Sequence, residues 1–369
     1  MSEVITDPQH VTSDWLTAIL RREGVLAHGE VEAVQVRSVE GNSSILSYLT
    51  LSYSVDSPPA APARLFLKMP RPLDWAIEAC ALEVQFFTAL RAGPPPPPCI
   101  INCYDAAHDP ESGLSHILLD DLSETHLTTI TLPQILAGDT MPSQLQLEQM
   151  VDCIAQFHAY WWEHPSLGAG IARPSFLGEE DYRTWVQRRE TEFEGFVRDV
   201  GSRYPAEQIE LYERTLQGLQ TLWERYLGPR IETLEKFTLI HGDCYFIQFL
   251  CPKDGDGPAV LVDFQSTSAF LPAQDIAWMF ATFWTPEQRG QDNREESLLR
   301  RYLARLHEYG VANYGWEELM LDYRLSVALL LFSTIWDQHS GAGDAYWVPK
   351  LGCVTGAYVD LGCADLLNA

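Results

Sequence analysis

Four polar side chains, His241, Asp243, Gln248 and Asp263, stand at or beside apolar runs, and their types and spacing suit a reaction centre. Leu239-Ile240 lead into His241-Gly242-Asp243, and Val260-Leu261-Val262 lead into Asp263. A carboxylate that closes a buried strand loses its hydration and needs a cationic partner. Two such carboxylates, on segments joined by a hairpin-like turn, lie close together and repel. A divalent cation relieves both problems, and Gln248 supplies a neutral oxygen nearby. Taken singly, Asp243 or Asp263 reads better as a turn or helix cap; the whole set points to function. A fifth residue, Lys68, ends the apolar run Leu65-Phe66-Leu67, where an unpaired ammonium is costly. Glu78 and Glu83, on the segment that follows, are its candidate partners.

The elements that must hold these residues fall into two groups. Ser13 reads as the cap of a short helix, Asp14 to Arg22, that ends at Gly24. Residues 31–53 alternate like an antiparallel pair around the turn Glu40-Gly41-Asn42-Ser43-Ser44, and Arg64 to Lys68 form a third β-like run. Residues 73–90 turn helical, with Leu82, Phe86, Phe87 and Leu90 at helical spacing, until Gly93 and Pro94 to Pro98 stop the helix. Two more strand-like runs follow, Ile100 to Ala106 and Ser115 to Leu119. After Asp120-Asp121-Leu122 the chain becomes largely helical. Ser143 and Gln146 form a capping box before the apolar face Leu147, Met150, Val151, Ile154, Phe157 and Trp161. Further helical patterns cover 181–200, 206–226, 287–309 and 317–336. One β island, built around His241 and Asp263, interrupts them, with Asp254-Gly255-Asp256-Gly257 as its hairpin turn.

Composition narrows the functions that such a site serves. The chain has 369 residues, enough for two domains or one large bilobed one. Lys and Arg number 25 against 51 Asp and Glu, a formal charge of −26, and no basic run offsets it. Such a surface repels phosphate backbones and anionic lipid, so neither nucleic-acid binding nor membrane insertion is expected. The longest nearly apolar run, Leu325 to Trp336, is too short to span a bilayer. Met1 to His10 lacks the basic and apolar regions of a secretory leader, and the eight scattered cysteines form no C-x-x-C pair. A cytoplasmic protein is expected.

The string His241-Gly242-Asp243-Cys244-Tyr245-Phe246-Ile247-Gln248, followed by Asp263-Phe264-Gln265, resembles the catalytic and metal-binding loops of the aminoglycoside phosphotransferase and choline kinase group. Pro272 to Trp278 resembles that group's helix after the metal loop. The strings Leu119 to Leu122 and Phe157 to Trp162 look closest to its ecdysteroid-kinase-like branch. The resemblance implies an α+β, two-lobed, protein-kinase-like fold. It places an antiparallel-sheet lobe at 1–119, a hinge at 120–125, and a helical lobe with the catalytic and metal loops at 126–369. It also implies a kinase that uses ATP and Mg2+ to phosphorylate a small-molecule hydroxyl acceptor. Asp243 would orient the hydroxyl and take its proton, and His241 would brace the loop, with Asp275 bracing it from the next helix. Gln248 and Asp263 would hold Mg2+; most members have Asn where Gln248 stands, and Gln carries the same amide oxygen on a longer stem. Lys68, paired with Glu83 in a string like the group's E-x-x-F-[YF], would contact phosphates. Ser43 and Ser44 would cover those phosphates, and Asp120 and Leu122 would hold adenine through backbone groups. Trp161, Trp336 and Asp337 are the candidate acceptor contacts. A catalytically silent nucleotide-binding relative and a metal-dependent phosphohydrolase are the alternatives. Oligomeric state has no signature in the sequence.

Overall fold

The computed structural model describes residues 4–138 and 140–368, and the chain divides into two units. The first takes in residues up to Leu127 together with 252–254 and 260–266; the second takes in 128–251, 255–259 and the chain from Thr267 on. The segment carrying Asp263 therefore belongs to the first unit, although 135 residues lie between Leu127 and Asp263 in sequence.

The first unit is built on a five-stranded antiparallel sheet of β1 (Val31–Glu40), β2 (Ser44–Tyr53), β3 (Arg64–Pro70), β4 (Cys103–His108) and β5 (Ser115–Asp120), in the order β1-β2-β3-β5-β4. Side chains alternate faces along a strand. On β3, Leu65, Leu67 and Met69 enter one core with Leu49, Leu51 and the apolar side of helix α1 (Ser13–Arg22), where Leu16, Ile19 and Leu20 are buried. Lys68, lying between Leu67 and Met69, is thereby set on the opposite face. Thr12, not Ser13, caps α1: its Oγ1 accepts the Trp15 N–H at 3.2 Å. Helix α2 (Asp74–Ala92) buries Ala76, Cys80, Glu83, Val84, Phe87 and Leu90, an i, i+3/i+4 stripe. Leu82, expected on that stripe, is 46% exposed, because the stripe runs through Cys80 and Val84 instead.

The second unit holds helices α3 (Leu132–Ala137), α4 (Gln144–Trp161), α5 (Glu179–Val200), α6 (Ala206–Leu222), α7 (Gly228–Thr233), α8 (Ala273–Ala281), α9 (Pro286–Gly290), α10 (Arg294–Glu308), α11 (Trp316–Leu330), α12 (Ser333–His339) and α13 (Asp344–Asp360). The capping box at Ser143 is formed, and the α4 face from Leu147 to Trp161 is buried as its spacing predicts. The pattern at 287–309 splits into α9 and α10, because Asp292 and Asn293 take positive φ (52° and 54°). Within this unit the strand Thr238–Ile240 pairs antiparallel with Ser268–Phe270, which brings the lead-in to His241 beside the lead-in to α8. Residues Trp316–His339 are long and apolar enough to cross a membrane by length and composition, and 72% of their apolar window is buried within the protein.

Three polar side chains tie the sheet of the first unit to its N-terminal segment. Asp105 on β4 meets the His116 ring of β5 at 3.0 Å and accepts from Arg22 of α1 at 2.8 Å, while the Ile5 N–H donates to the other His116 nitrogen at 3.0 Å. Burial pushes Asp105 up, but the hydrogen bonds from His116 and Arg22 outweigh it and hold the carboxyl at about 2. A carboxyl depressed in the folded state adds stability that is complete above its unfolded value and is lost as pH falls through its folded one. Asp105→Asn is therefore expected to cost about 2 kcal/mol in urea unfolding at pH 7. The gap to wild type should close between about pH 4 and pH 2. A gap that stays constant down to pH 2 would mean that the charge of Asp105 is not what holds this corner.

Candidate active site

In the first unit the centre is the Lys68 ammonium. Lys68 leaves β3 between Leu46 of β2 and Ile117 of β5, its partners in register. Its Nζ donates to Glu83 Oε2 at 2.6 Å and to Asp263 Oδ1 at 2.5 Å, spanning 15 and 195 residues of sequence. Glu83 is 1% exposed, whereas Glu78, the other candidate partner, is exposed. Burial lowers the ammonium, but Glu83 and Asp263 beside it outweigh that and raise it, so Lys68 stays charged. Burial pushes Glu83 up, Lys68 pulls it down and Asp263 pushes it up; the balance is upward, since two carboxylates share one cation.

Asp263 reaches this position because the backbone after the strand Val260–Leu261 turns sharply. Asp263 has φ +72°, the left-handed region that Asp visits more readily than most residues. That strand is fixed to the same unit by the Leu261 N–H, which donates to the Cys99 carbonyl at 2.8 Å. One residue on, the Phe264 ring stacks on Phe86 of α2 (4.1 Å between centroids, 10°) and meets Phe87 edge-on at 5.8 Å. The Phe264 N–H donates to Glu83 Oε1 at 3.3 Å. Asp263 and Phe264 thus grip α2 and β3 together, and the aromatic pair adds about 1 kcal/mol beyond its buried area.

The turn between β1 and β2 places Ser43 and Ser44 with their hydroxyls 3.1 Å apart, and Ser44 lies in register with Pro70, two residues beyond Lys68. The Gly41 N–H is used within the turn by the Ser44 carbonyl at 2.8 Å. The expected adenine-binding segment is partly spoken for. Asp120 accepts the Tyr104 hydroxyl at 2.6 Å, and the Leu122 carbonyl accepts the N–H groups of Thr125 and His126.

In the second unit the centre is Asp275, on the first turn of α8. It is fully buried and accepts the backbone N–H groups of His241 (2.6 Å) and Gly242 (2.9 Å). Its Oδ2 also meets His158 Nε2 at 3.0 Å, and His158 Nδ1 lies 2.7 Å from the Tyr302 hydroxyl. A carboxylate only accepts, so His158 carries its proton on Nε2 and takes the Tyr302 hydroxyl on Nδ1. Gly242 has φ +81°, which a side chain at that position would oppose. His241 is fully buried, Asp243 is half-buried, and the Gln248 amide donates to Asp243 Oδ2 at 3.3 Å.

The three candidate acceptor contacts differ in exposure. Trp161 is 3% exposed, with its ring against Tyr160 and His164. Trp336 is 49% exposed, and Asp337 is buried in an ion pair with Lys350 at 2.6 Å. The sequence reading missed His158, Tyr302 and Lys350. His158 stands inside the quoted Phe157 to Trp162 string, where its polarity on an apolar face was the available signal.

Asp275→Asn should destabilise the protein by about 3 kcal/mol, since a buried charge with several partners is lost. Amide exchange at His241 and Gly242 should quicken with it; unchanged exchange there would detach Asp275 from the loop.

The family model described as the phosphotransferase enzyme family matches residues 49–320, a span that includes Lys68, Glu83, His158, Asp243, Gln248, Asp263, Asp275 and Tyr302. No curated protein matches the chain. Among solved structures, a Ralstonia eutropha JMP134 protein provisionally named an aminoglycoside phosphotransferase is 14% identical. It covers 96% of this chain and 98% of its own at a TM-score of 0.58. A choline kinase of Cryptosporidium parvum Iowa II is 13% identical, with 95% and 98% covered and a TM-score of 0.53. A variant of aminoglycoside 2'-phosphotransferase-IIIa in complex with GDP is 13% identical, with 97% and 98% covered and a TM-score of 0.52. At such identities the likeness is one of fold, and the fold is kinase-like and α+β.

Proposed function

The chain belongs to the phosphotransferase enzyme family, and from that premise we propose that it is an ATP-dependent kinase transferring the γ-phosphoryl group to a hydroxyl of a small molecule. The observation that carries this reading is the Lys68 ammonium, held between Glu83 and Asp263. A charged lysine fixed on the middle strand of a sheet is a donor for phosphate oxygens, and a buried carboxylate keeps it aimed.

Phosphoryl transfer asks for positioning and for neutralisation of spreading negative charge more than for covalent chemistry. Lys68 supplies one fixed positive charge. The turn at Ser43 and Ser44 offers hydroxyls, and the Asn42 and Ser43 N–H groups, which have no backbone partner among the described residues, offer further donors. Asp120 and Leu122 line the segment assigned to the base. Asp263 and Gln248 would hold Mg2+ through a carboxylate and an amide oxygen, donors of the hard kind that ion takes. When bound, Mg2+ neutralises charge on the phosphates. Asp243, half-buried and steadied by the Gln248 amide, accepts the proton of the acceptor hydroxyl. That oxygen then bonds to phosphorus, and the bond to the leaving diphosphate breaks. His241 and Asp275 position Asp243 by holding the backbone before it.

The direct test is phosphate transfer from ATP, with GTP run alongside because a relative of the same fold is seen with GDP, to a panel of alcohols with Mg2+ present. Asp243→Asn should lower kcat by about 10²–10⁴-fold with little change in nucleotide binding. Lys68→Met should cost about 10²–10³-fold with the fold intact by circular dichroism. Gln248→Ala should be milder and partly restored by raised Mg2+. Wild-type turnover by Asp243→Asn, or no transfer to any alcohol by the wild type, would remove the kinase reading.

A further inference from the structure

The helical unit contains a second constellation that the phosphoryl-transfer roles above do not use. Lys350 on α13 is 1% exposed, and its ammonium sits 2.6 Å from Asp337 Oδ2 of α12. Three aromatic rings surround the same nitrogen: Tyr346 at 4.3 Å, Trp278 at 5.3 Å and Phe283 at 5.6 Å from their centroids. A carboxylate and several ring faces converging on one point form a receptor for an ammonium ion. Here that receptor is filled by the chain itself.

Beside it lies a cavity of about 170 Å³. Ile135, Leu136, Phe283 and Cys353 supply apolar walls, and Thr282 and Lys350 supply polar atoms. Thr282 is fully buried and its hydroxyl has no hydrogen-bond partner among the described residues, which is a costly state for a buried donor. Lys350 has three N–H donors, and among the described residues one of them is used, by Asp337. Both residues therefore have capacity to donate to an oxygen placed in the cavity. One wall of the cavity touches the loop that carries Asp243. Phe283 stacks on Tyr245 with centroids 5.3 Å apart at 18°, and Tyr245 lies two residues past Asp243.

We propose that this cavity is the acceptor subsite and that it takes a compact, uncharged alcohol with an apolar body, excluding ammonium-bearing ones. The proposal rests on the kinase reading for the word acceptor, and on the cavity alone for the ligand class. A cationic ligand finds the aromatic receptor already occupied and meets the Lys350 charge. An anionic ligand meets Asp337 close behind Lys350, in a protein of formal charge −26. What remains is an apolar body against Ile135, Leu136 and Phe283, with an oxygen accepting from Thr282.

Three probes of similar size separate these classes: 3,3-dimethylbutan-1-ol, its charged isostere choline, and 4-hydroxybutyrate. Ligand-observed NMR on the full chain without nucleotide measures binding apart from turnover. The neutral alcohol should bind the wild type saturably and at least about tenfold tighter than either charged probe. Lys350→Ala empties the aromatic receptor and should bring choline up by about tenfold or more. Should that variant not fold, Thr282→Val, which keeps the Lys350–Asp337 pair, should weaken the neutral alcohol several-fold while leaving the melting temperature within a few degrees. Absence of saturable binding by the neutral alcohol, or choline binding as tightly to the wild type, overturns the proposal. Neutral-alcohol binding without phosphate transfer from ATP or GTP to any alcohol overturns the kinase reading and leaves the ligand class standing. Transfer to an alcohol that the neutral probe does not displace removes the cavity from the reaction.

Discussion

A single ammonium group organises the first unit. Lys68 lies on the middle strand of a sheet whose other side is apolar, and its burial is tolerable only because Glu83 and Asp263 meet it within hydrogen-bonding distance. Those two partners come from a helix and from a segment nearly two hundred residues away. Each is therefore fixed by the demand of the other's cation, and the Phe264 ring seats the late segment on α2 beside them. The same economy that makes the group stable makes it chemically apt. A carboxylate pair that shares one positive charge is short of cations, and further positive charge at that place is welcome.

The second unit repeats the logic with the signs reversed. Asp275 is a buried carboxylate whose needs are met by two backbone N–H groups and the His158 ring. Charge-assisted bonds of this kind are short and directional, so the backbone of His241 and Gly242 is held where Asp243 must begin. The Tyr302 hydroxyl fixes His158 from behind, and the chain of contacts runs through three elements, α4, α8 and α10. Neither arrangement depends on a flexible surface side chain.

Much of this was legible in the sequence, for physical reasons that differ by residue. Lys68 and Glu83 each interrupt an apolar pattern, and a charge on a buried stripe announces a partner. The His241 to Gln248 string and Asp263 stand at the ends of short apolar strands, which marked them in the same way. The helical face of α4 followed from its period. What was not legible depends on distant partners. Lys350 occurs on a helix the sequence reading did not anticipate, and its burial is explained by Asp337, Trp278 and Phe283 rather than by its neighbours in sequence. Nothing local to Asp337, a candidate acceptor contact, shows that Lys350 pairs with it. Thr12 rather than Ser13 capping α1 is a one-residue shift between two equally able hydroxyls. The break between α9 and α10 rests on two residues with positive φ, Asp292 and Asn293, neither of them a glycine.

The division of the chain has a bearing on how the protein is made. Residues up to Leu127 hold Lys68 and Glu83, but the carboxylate that completes their group arrives only with residues 260–266. At ribosomal speeds that interval of roughly 140 residues lasts on the order of 10–30 s. Throughout it, the sheet must either keep its ammonium and the Phe86 and Phe87 faces of α2 unfinished or wait to close. The nascent first unit is thus a natural client for whatever shields apolar surface during synthesis, and the late segment is the stitch that ends its dependence.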